Sequence, residues 1–131
     1  MNRKTIEVCA AVIFDGDSVL VTSRPAGREY AGYWEFPGGK IERGESRAAC
    51  LRRELNEELG MDVMVFDQIY FTEHEYPERT VRLYFIRCLA CAGEPVPREN
   101  QEFRWIPLAR LDEVKFLPAD RGIADFLSFF S

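Results

Sequence analysis

Gly39-Lys40-Ile41-Glu42-Arg43-Gly44-Glu45, continued by Ser46 to Arg52 and then by Arg53-Glu54-Leu55-Asn56-Glu57-Glu58-Leu59-Gly60-Met61, is the stretch that decides how this chain folds. Ala48, Ala49, Leu51, Leu55 and Leu59 recur at helical spacing and supply an apolar face. The helix should begin near Glu45 or Ser46, with Ser46 or the preceding turn as its cap. Gly60 is placed to end it in the left-handed conformation. Glu54, Glu57 and Glu58 then fall at i, i+3 and i+4, on one face. Three carboxylates so close repel one another. A bound divalent cation is the simplest compensation, and hard oxygen ligands suit Mg²⁺ or Mn²⁺.

Upstream, Ile6 to Phe14 is nearly all apolar and reads as a buried strand. Asp15-Gly16-Asp17 is a hairpin turn, and Ser18 to Ser23 returns as a second strand. Arg24 to Tyr33 is a polar loop. Trp34-Glu35-Phe36 is a short extended piece leading into Pro37-Gly38-Gly39, where glycines permit close backbone approach to a ligand. Downstream, Met64 to Tyr76 and Thr80 to Ala90 read as long strands joined by Pro77-Glu78-Arg79. Gly93 to Asn100 is a loop, Glu102 to Ile106 a short strand, and Pro107 to Val114 a turn with a short helix. Asp120 to Phe130 carries Ile123, Phe126, Leu127 and Phe130 at helical spacing and predicts an amphipathic C-terminal helix. Strands before, between and after two helices give an α/β chain with a mixed sheet covered on both faces.

The chain has 131 residues, enough for one domain that buries about two thirds of its unfolded surface. With 47% hydrophobic and 30% charged residues it reads as a soluble globular protein. No apolar run approaches the roughly 20 residues of a membrane span. Met1-Asn2-Arg3-Lys4 is basic but no signal-peptide core follows, so a cytoplasmic location is expected. A net charge of −5 argues against a duplex-binding surface. Cys88-Leu89-Ala90-Cys91 has knuckle spacing without a second pair, and it lies in a strand where i and i+3 point apart. It and the remaining cysteines, Cys9 and Cys50, are expected to be buried thiols.

The run from Gly39 to Met61 reads G-x5-E-x7-R-E-L-x-E-E-L-G-M and resembles the Nudix box at every fixed position. The resemblance covers essentially residues 1–131 and implies a single domain with the α/β/α sandwich of that family. It implies a Mg²⁺-dependent (or Mn²⁺-dependent) hydrolase that splits a nucleoside triphosphate into monophosphate and pyrophosphate. The Gly38 carbonyl, Glu54, Glu57 and Glu58 are implied as metal ligands. Glu54 is also the first choice of base, with the division among the glutamates left open. Glu45, two turns from Arg53, is read as its salt-bridge partner more than as a direct participant. Arg24 ends the second strand and is the best candidate for a phosphate clamp, with Lys40 behind it. Mutator-type relatives carry a further glutamate from the Pro97-Arg98-Glu99-Asn100-Gln101-Glu102 loop into the metal site. Here that points to Glu99, with Glu102 as the competitor. His74, the one histidine, is read as structural.

Three runs resemble the mutator-type subgroup that hydrolyses oxidised guanine nucleotides: Trp34 to Glu42, Tyr76-Pro77-Glu78-Arg79, and Phe116-Leu117-Pro118-Ala119-Asp120. The resemblance places Glu35, Phe36, Pro37, Gly38 and Lys40 at the substrate, Arg79 at the base edge, and Asp120 in a hydrogen bond to the base. Asp120 also fits an N-cap for the last helix. Enzymes specific for oxidised guanine have an amide at this position, while relatives acting on cytidine often have the acid. A carboxylate only accepts hydrogen bonds unless protonated, so it suits a donor-rich edge. An oxidised nucleotide such as 8-oxo-dGTP is the leading substrate, and CTP, dCTP or a modified dCTP the alternative. A dinucleoside polyphosphate hydrolase and a non-catalytic nucleotide sensor are weaker readings. The partner is the nucleotide itself, without duplex nucleic acid or membrane, and the chain is a monomer or homodimer.

Overall fold

The computed structural model describes residues 4–131, so most of the basic N-terminal run lies outside the described residues. The first strand, β1 (Lys4–Asp15), is the spine of a seven-stranded sheet. Its side chains alternate between two separate cores. Cys9, Ala11 and Ile13 pack with α1 (Arg47–Leu59), while Ala10 and Val12 pack with α2 (Pro118–Ser128). Both faces of β1 are therefore covered, which is why its sequence is a continuous apolar run. The expected α/β/α sandwich is what the chain forms.

β1 pairs in parallel with β6 (Arg79–Ala92), and β6 pairs antiparallel with β5 (Asp62–Glu75), making the mixed sheet β3-β2-β1-β6-β5. β2 (Ser18–Ser23) meets β1 only at the hairpin, Phe14 opposite Val19 and Asp15 opposite Ser18. β2 then departs to pair with β7 (Phe103–Pro107) and with β3 (Trp34–Glu35). The edge of β1 that β2 vacates is taken by β4 (Gly38–Lys40), with Cys9 opposite Gly39. A Cβ at Gly38 would collide with the Cys9 carbonyl, so this close strand approach requires glycine. The sheet opens where β1 and β2 part, and a cleft forms there.

Ser46 caps α1 as expected, its hydroxyl accepting the Ala49 N–H at 3.1 Å, and Gly60 ends the helix at φ 60°. The apolar face differs from the expectation in phase. Cys50, Leu51, Leu55 and Leu59 are buried, whereas Ala49 is exposed. Leucines four residues apart set the stripe, and alanines one turn earlier lie off it. β5, β6 and β7 run Asp62–Glu75, Arg79–Ala92 and Phe103–Pro107, each offset by one or two residues at an end from the sequence reading.

The last helix begins at Pro118, not Asp120. Proline presets its first turn, and Leu117 stands at the cap. Ala119, Asp120, Ile123, Ala124 and Leu127 form the buried face, leaving Phe126 and Phe130 exposed against expectation. Cys88 is buried and Cys91 exposed, so the knuckle spacing brings no ligands together. Burial pushes the Cys9 thiol up to about 11 and Cys50 and Cys88 to about 12, which keeps all three unreactive. Among the described residues no helix is long and apolar enough to cross a membrane.

Candidate active site

The cleft has a volume of about 900 Å³ and is lined along its length by carboxylates. Along the i, i+4 rows of α1, Leu51, Leu55 and Leu59 point into the core. The neighbouring row of Cys50, Glu54 and Glu58 faces the β4 backbone. The three box glutamates are thus unequal. Glu54 is 18% exposed, with its carboxyl pressed against Gly39 so that any Cβ there would strike it. Glu57 is 55% exposed on the outer side of the same wall.

Glu58 is half-buried and hydrogen-bonded to Glu54. Partial burial, that bond, and the charges of Glu54, Glu99 and Glu35 push its carboxyl well above the ordinary glutamate range. Glu99 lines the same cleft, and its charge acts on Glu58. Glu102 does not line the cleft, and its backbone N–H is tied to the Ser23 hydroxyl at 2.8 Å. Among the described residues no three His, Cys, Asp or Glu side chains converge closely enough, as they stand, to hold a metal ion. The donor set still fits a hard cation, because buried oxygens of like charge need positive charge to remain ionised together.

Arg53 holds this arrangement from behind. It makes a two-pronged contact with Glu45, Nε to Oε2 at 2.7 Å and Nη2 to Oε1 at 2.9 Å. Its Nη1 donates to Glu54 at 2.8 Å, and Nη2 also donates to the Lys40 carbonyl at 3.1 Å. The hydrogen bonds from Arg53, helped by the Glu42 backbone amide, hold the Glu45 carboxyl down to about 2. Neither Arg53 nor Glu45 lines the cleft, so both stand behind the reacting surface rather than on it. Pro37 does not line it either. That residue is buried, with its carbonyl accepting the Ala11 N–H at 2.7 Å. Gly38 and Lys40 do line it.

At the other end, Asp120 is 4% exposed and its Oδ2 accepts the Phe36 backbone N–H at 2.9 Å, across 84 residues of chain. This bond, with the helix starting at Pro118, overturns the N-cap alternative. Burial and the nearby Glu35 push the Asp120 carboxyl well above the ordinary aspartate range. Glu35 is itself raised by burial and is met by Arg24 at 3.6 Å. Arg24 also donates from Nε to the Glu29 carbonyl at 3.2 Å, so it lies among the carboxylates of this end. The Phe36 ring is core, stacked on Phe116 at 5.3 Å and at the edge of Phe85. Arg79 lines the cleft mouth 3.8 Å from Glu29. His74 is off the cleft, its ring 4.5 Å from Tyr76.

Several lining residues had no role of their own in the sequence reading, Tyr76, Tyr30 and Gln101 among them. Tyr76 faces the cleft with its hydroxyl bonded to the Ala119 backbone. Tyr30 meets Tyr76 edge-on at 5.9 Å and has φ 60°, a conformation disfavoured for a bulky side chain. Gln101 bonds both α1 and the Glu99 backbone. A tyrosine in a loop and a glutamine beside two glutamates carry no spacing signal that would have marked them.

A fold with this carboxylate-walled cleft matches a known family over nearly its whole length: the NUDIX domain matches residues 4–128. The chain belongs to the Nudix family and is a Nudix hydrolase. It is 35% identical to an 8-oxo-dGTP diphosphatase of Haemophilus influenzae, covering 92% of this chain and 89% of the relative. It is also 35% identical to the CTP pyrophosphohydrolase of Escherichia coli, covering 89% and 87%. The solution structure of the Escherichia coli ORF135 protein superposes with a TM-score of 0.83 at 32% identity, covering 98% of this chain and 93% of that one. Nudix hydrolases generally use a divalent metal.

Proposed function

We propose that this chain is a Mg²⁺-dependent nucleoside triphosphate pyrophosphohydrolase that clears oxidised guanine nucleotides such as 8-oxo-dGTP. One observation carries the reading: a single cleft has Glu54, Glu58 and Glu99 gathered at one end and the buried Asp120 at the other. Polyphosphate and base can thus be held at once. The relatives named for 8-oxo-dGTP and for CTP support the substrate class.

Glu54, Glu58, Glu99 and the Gly38 carbonyl would hold the cation, with Glu57 reaching it from the exposed side. Bound there, Mg²⁺ would neutralise phosphate charge and make water available as hydroxide. The protein's part is to fix the geometry. Arg53 aims Glu54, the first choice to take the proton of the attacking water. Glu45 locks Arg53 in turn, and Lys40 adds positive charge at the cleft wall. Arg24 is the phosphate clamp, or it balances Glu35 at the base end. The elements of one water are divided between the monophosphate and the pyrophosphate.

At the base end, a protonated Asp120 can donate as an amide would. Because Oδ2 accepts from Phe36, the proton belongs on the other oxygen. That supports oxidised guanine despite the acid at this position. CTP or dCTP is the second reading, favoured by an ionised Asp120 accepting from the cytosine amino group and by the CTP-hydrolysing relative. The cleft is built by one chain, so a monomer suffices, with a homodimer the other arrangement. A nucleotide substrate supports a cytoplasmic location. Chromatography of products from 8-oxo-dGTP, dGTP, CTP, dCTP and a dinucleoside polyphosphate, during Mg²⁺ titration, tests this reading. Monophosphate and pyrophosphate should form fastest from 8-oxo-dGTP, and absence of both from every triphosphate would refute it.

A further inference from the structure

The loop before β7 is stapled to the C-terminal end of α1, where helix carbonyls lack intrahelical partners. The Val96 N–H donates to Leu59 O at 2.8 Å and the Arg98 N–H to Glu58 O at 2.9 Å. Arg98 Nη1 reaches Asn56 O at 3.2 Å. Gln101 adds the bond that differs in kind. Its Nε2 donates to the backbone carbonyl of Glu58 at 3.1 Å, and its Oε1 accepts the backbone N–H of Glu99 at 2.8 Å. One side-chain amide, 8% exposed, therefore ties two of the crowded carboxylate residues together by their backbones. Asn100 between them has φ 61°, a left-handed conformation that asparagine tolerates better than other side chains. That turn is what folds Gln101 back onto Glu99.

Glu99 sits on a loop outside the sheet, so its place beside α1 depends on these backbone contacts. We propose that Gln101 is a positioning residue that holds the Glu99 backbone to the Glu58 end of α1, so that Glu99 is on hand at the cleft when a cation arrives. This inference rests on the reading of Glu99 as a member of the carboxylate set. Arg98 secures the loop to the helix, whereas among the described residues Gln101 is the side chain that links helix and Glu99 directly.

A double-mutant cycle on the full chain tests it, with Gln101→Met removing both hydrogen bonds at nearly constant volume. Mn²⁺ affinity of the substrate-free protein, from the spin-resonance signal of free Mn²⁺, is read beside kcat and KM. Gln101→Met should weaken Mn²⁺ by about tenfold, as loss of a ligand-orienting partner does, and lower kcat more than KM. In a Glu99→Gln background the same change should add less than about twofold. Equal costs in both backgrounds, or unchanged Mn²⁺ affinity, overturn the positioning role. If Glu99→Gln alone leaves Mn²⁺ affinity and kcat at wild-type values, the reading of Glu99 fails and this inference fails with it. Should Gln101→Met not fold, Asn100→Val, which disfavours the left-handed turn, carries the same expectations, and Asn100→Gly should behave as wild type.

Discussion

Replacing Asp120 with asparagine keeps the shape of the base end and changes only where a proton can sit. The amide oxygen takes over the 2.9 Å bond from the Phe36 N–H, which turns the NH₂ group toward the cleft. In the wild type that outer position is a carboxyl oxygen whose proton is held well above the ordinary range by burial and Glu35, with Arg24 opposing. Tyr76 and Ala119 complete the surrounding wall. The sign follows from the raised value. The donor form exists at lower pH and is lost as pH rises through the raised pKa. A donor lost against a base acceptor costs about 1–3 kcal/mol. At about 1.4 kcal/mol per tenfold, that is roughly fivefold to 150-fold in kcat/KM. The assay is kcat/KM for 8-oxo-dGTP and CTP as a function of pH from the ordinary aspartate range upward, since such profiles report groups of the free enzyme. The wild-type ratio should fall toward CTP as pH rises, while the Asp120→Asn ratio stays flat and favours 8-oxo-dGTP throughout. Parallel profiles for the two proteins, or loss of 8-oxo-dGTP turnover in the variant, would refute the protonated-donor reasoning.

Glu58→Gln should lower kcat by more than about tenfold at limiting Mg²⁺, the loss of one charged ligand oxygen being worth several kcal/mol. Because the Glu58 carboxyl is held above its ordinary range, wild-type stability in chelator should decline as pH rises above that range, and the variant should show a higher Tm at alkaline pH. Gly39→Ala should leave Tm nearly unchanged yet cut kcat by about tenfold or more by displacing Glu54, since small misplacements are costly. Gly38→Ala should instead destabilise by about 1–3 kcal/mol in denaturant melts, because its Cβ meets the β1 backbone. Glu45→Gln should reduce kcat with KM little changed. Its Tm deficit against wild type should shrink as pH falls from 4.5 toward about 2, the window in which the wild-type Glu45 carboxylate is itself protonated.

Features set by local chemistry were legible in the sequence. Ser46, Gly60 and the turn at Gly16 each act within a few residues, and their positions agree with the structure. β1 was legible because burial on both faces leaves no polar alternation to confuse the period. What depended on tertiary contacts was not. Glu54, Glu57 and Glu58 look equivalent along a helix, and only the approach of β4 leaves Glu54 half-buried and Glu57 exposed. In the sequence Asp120 fits both a contact to the base and an N-cap, and the cap falls away only when Phe36, far off in the chain, is seen to donate to it. Phe126 and Phe130 share a helical period with Ile123, yet Pro118 and the small Ala119 and Ala124 decide which side of α2 meets the sheet. Gln101 is an ordinary loop residue until both its partners are placed.

The most direct test is the ratio of kcat/KM for 8-oxo-dGTP to that for CTP, measured as pyrophosphate release with Mg²⁺ and again with excess chelator. Monophosphate and pyrophosphate from both nucleotides, a ratio above one near neutral pH, and no turnover in chelator are the predicted result. Release of inorganic phosphate and a nucleoside diphosphate, or turnover that persists without a divalent cation, would contradict an active site built on Glu54, Glu58 and Glu99.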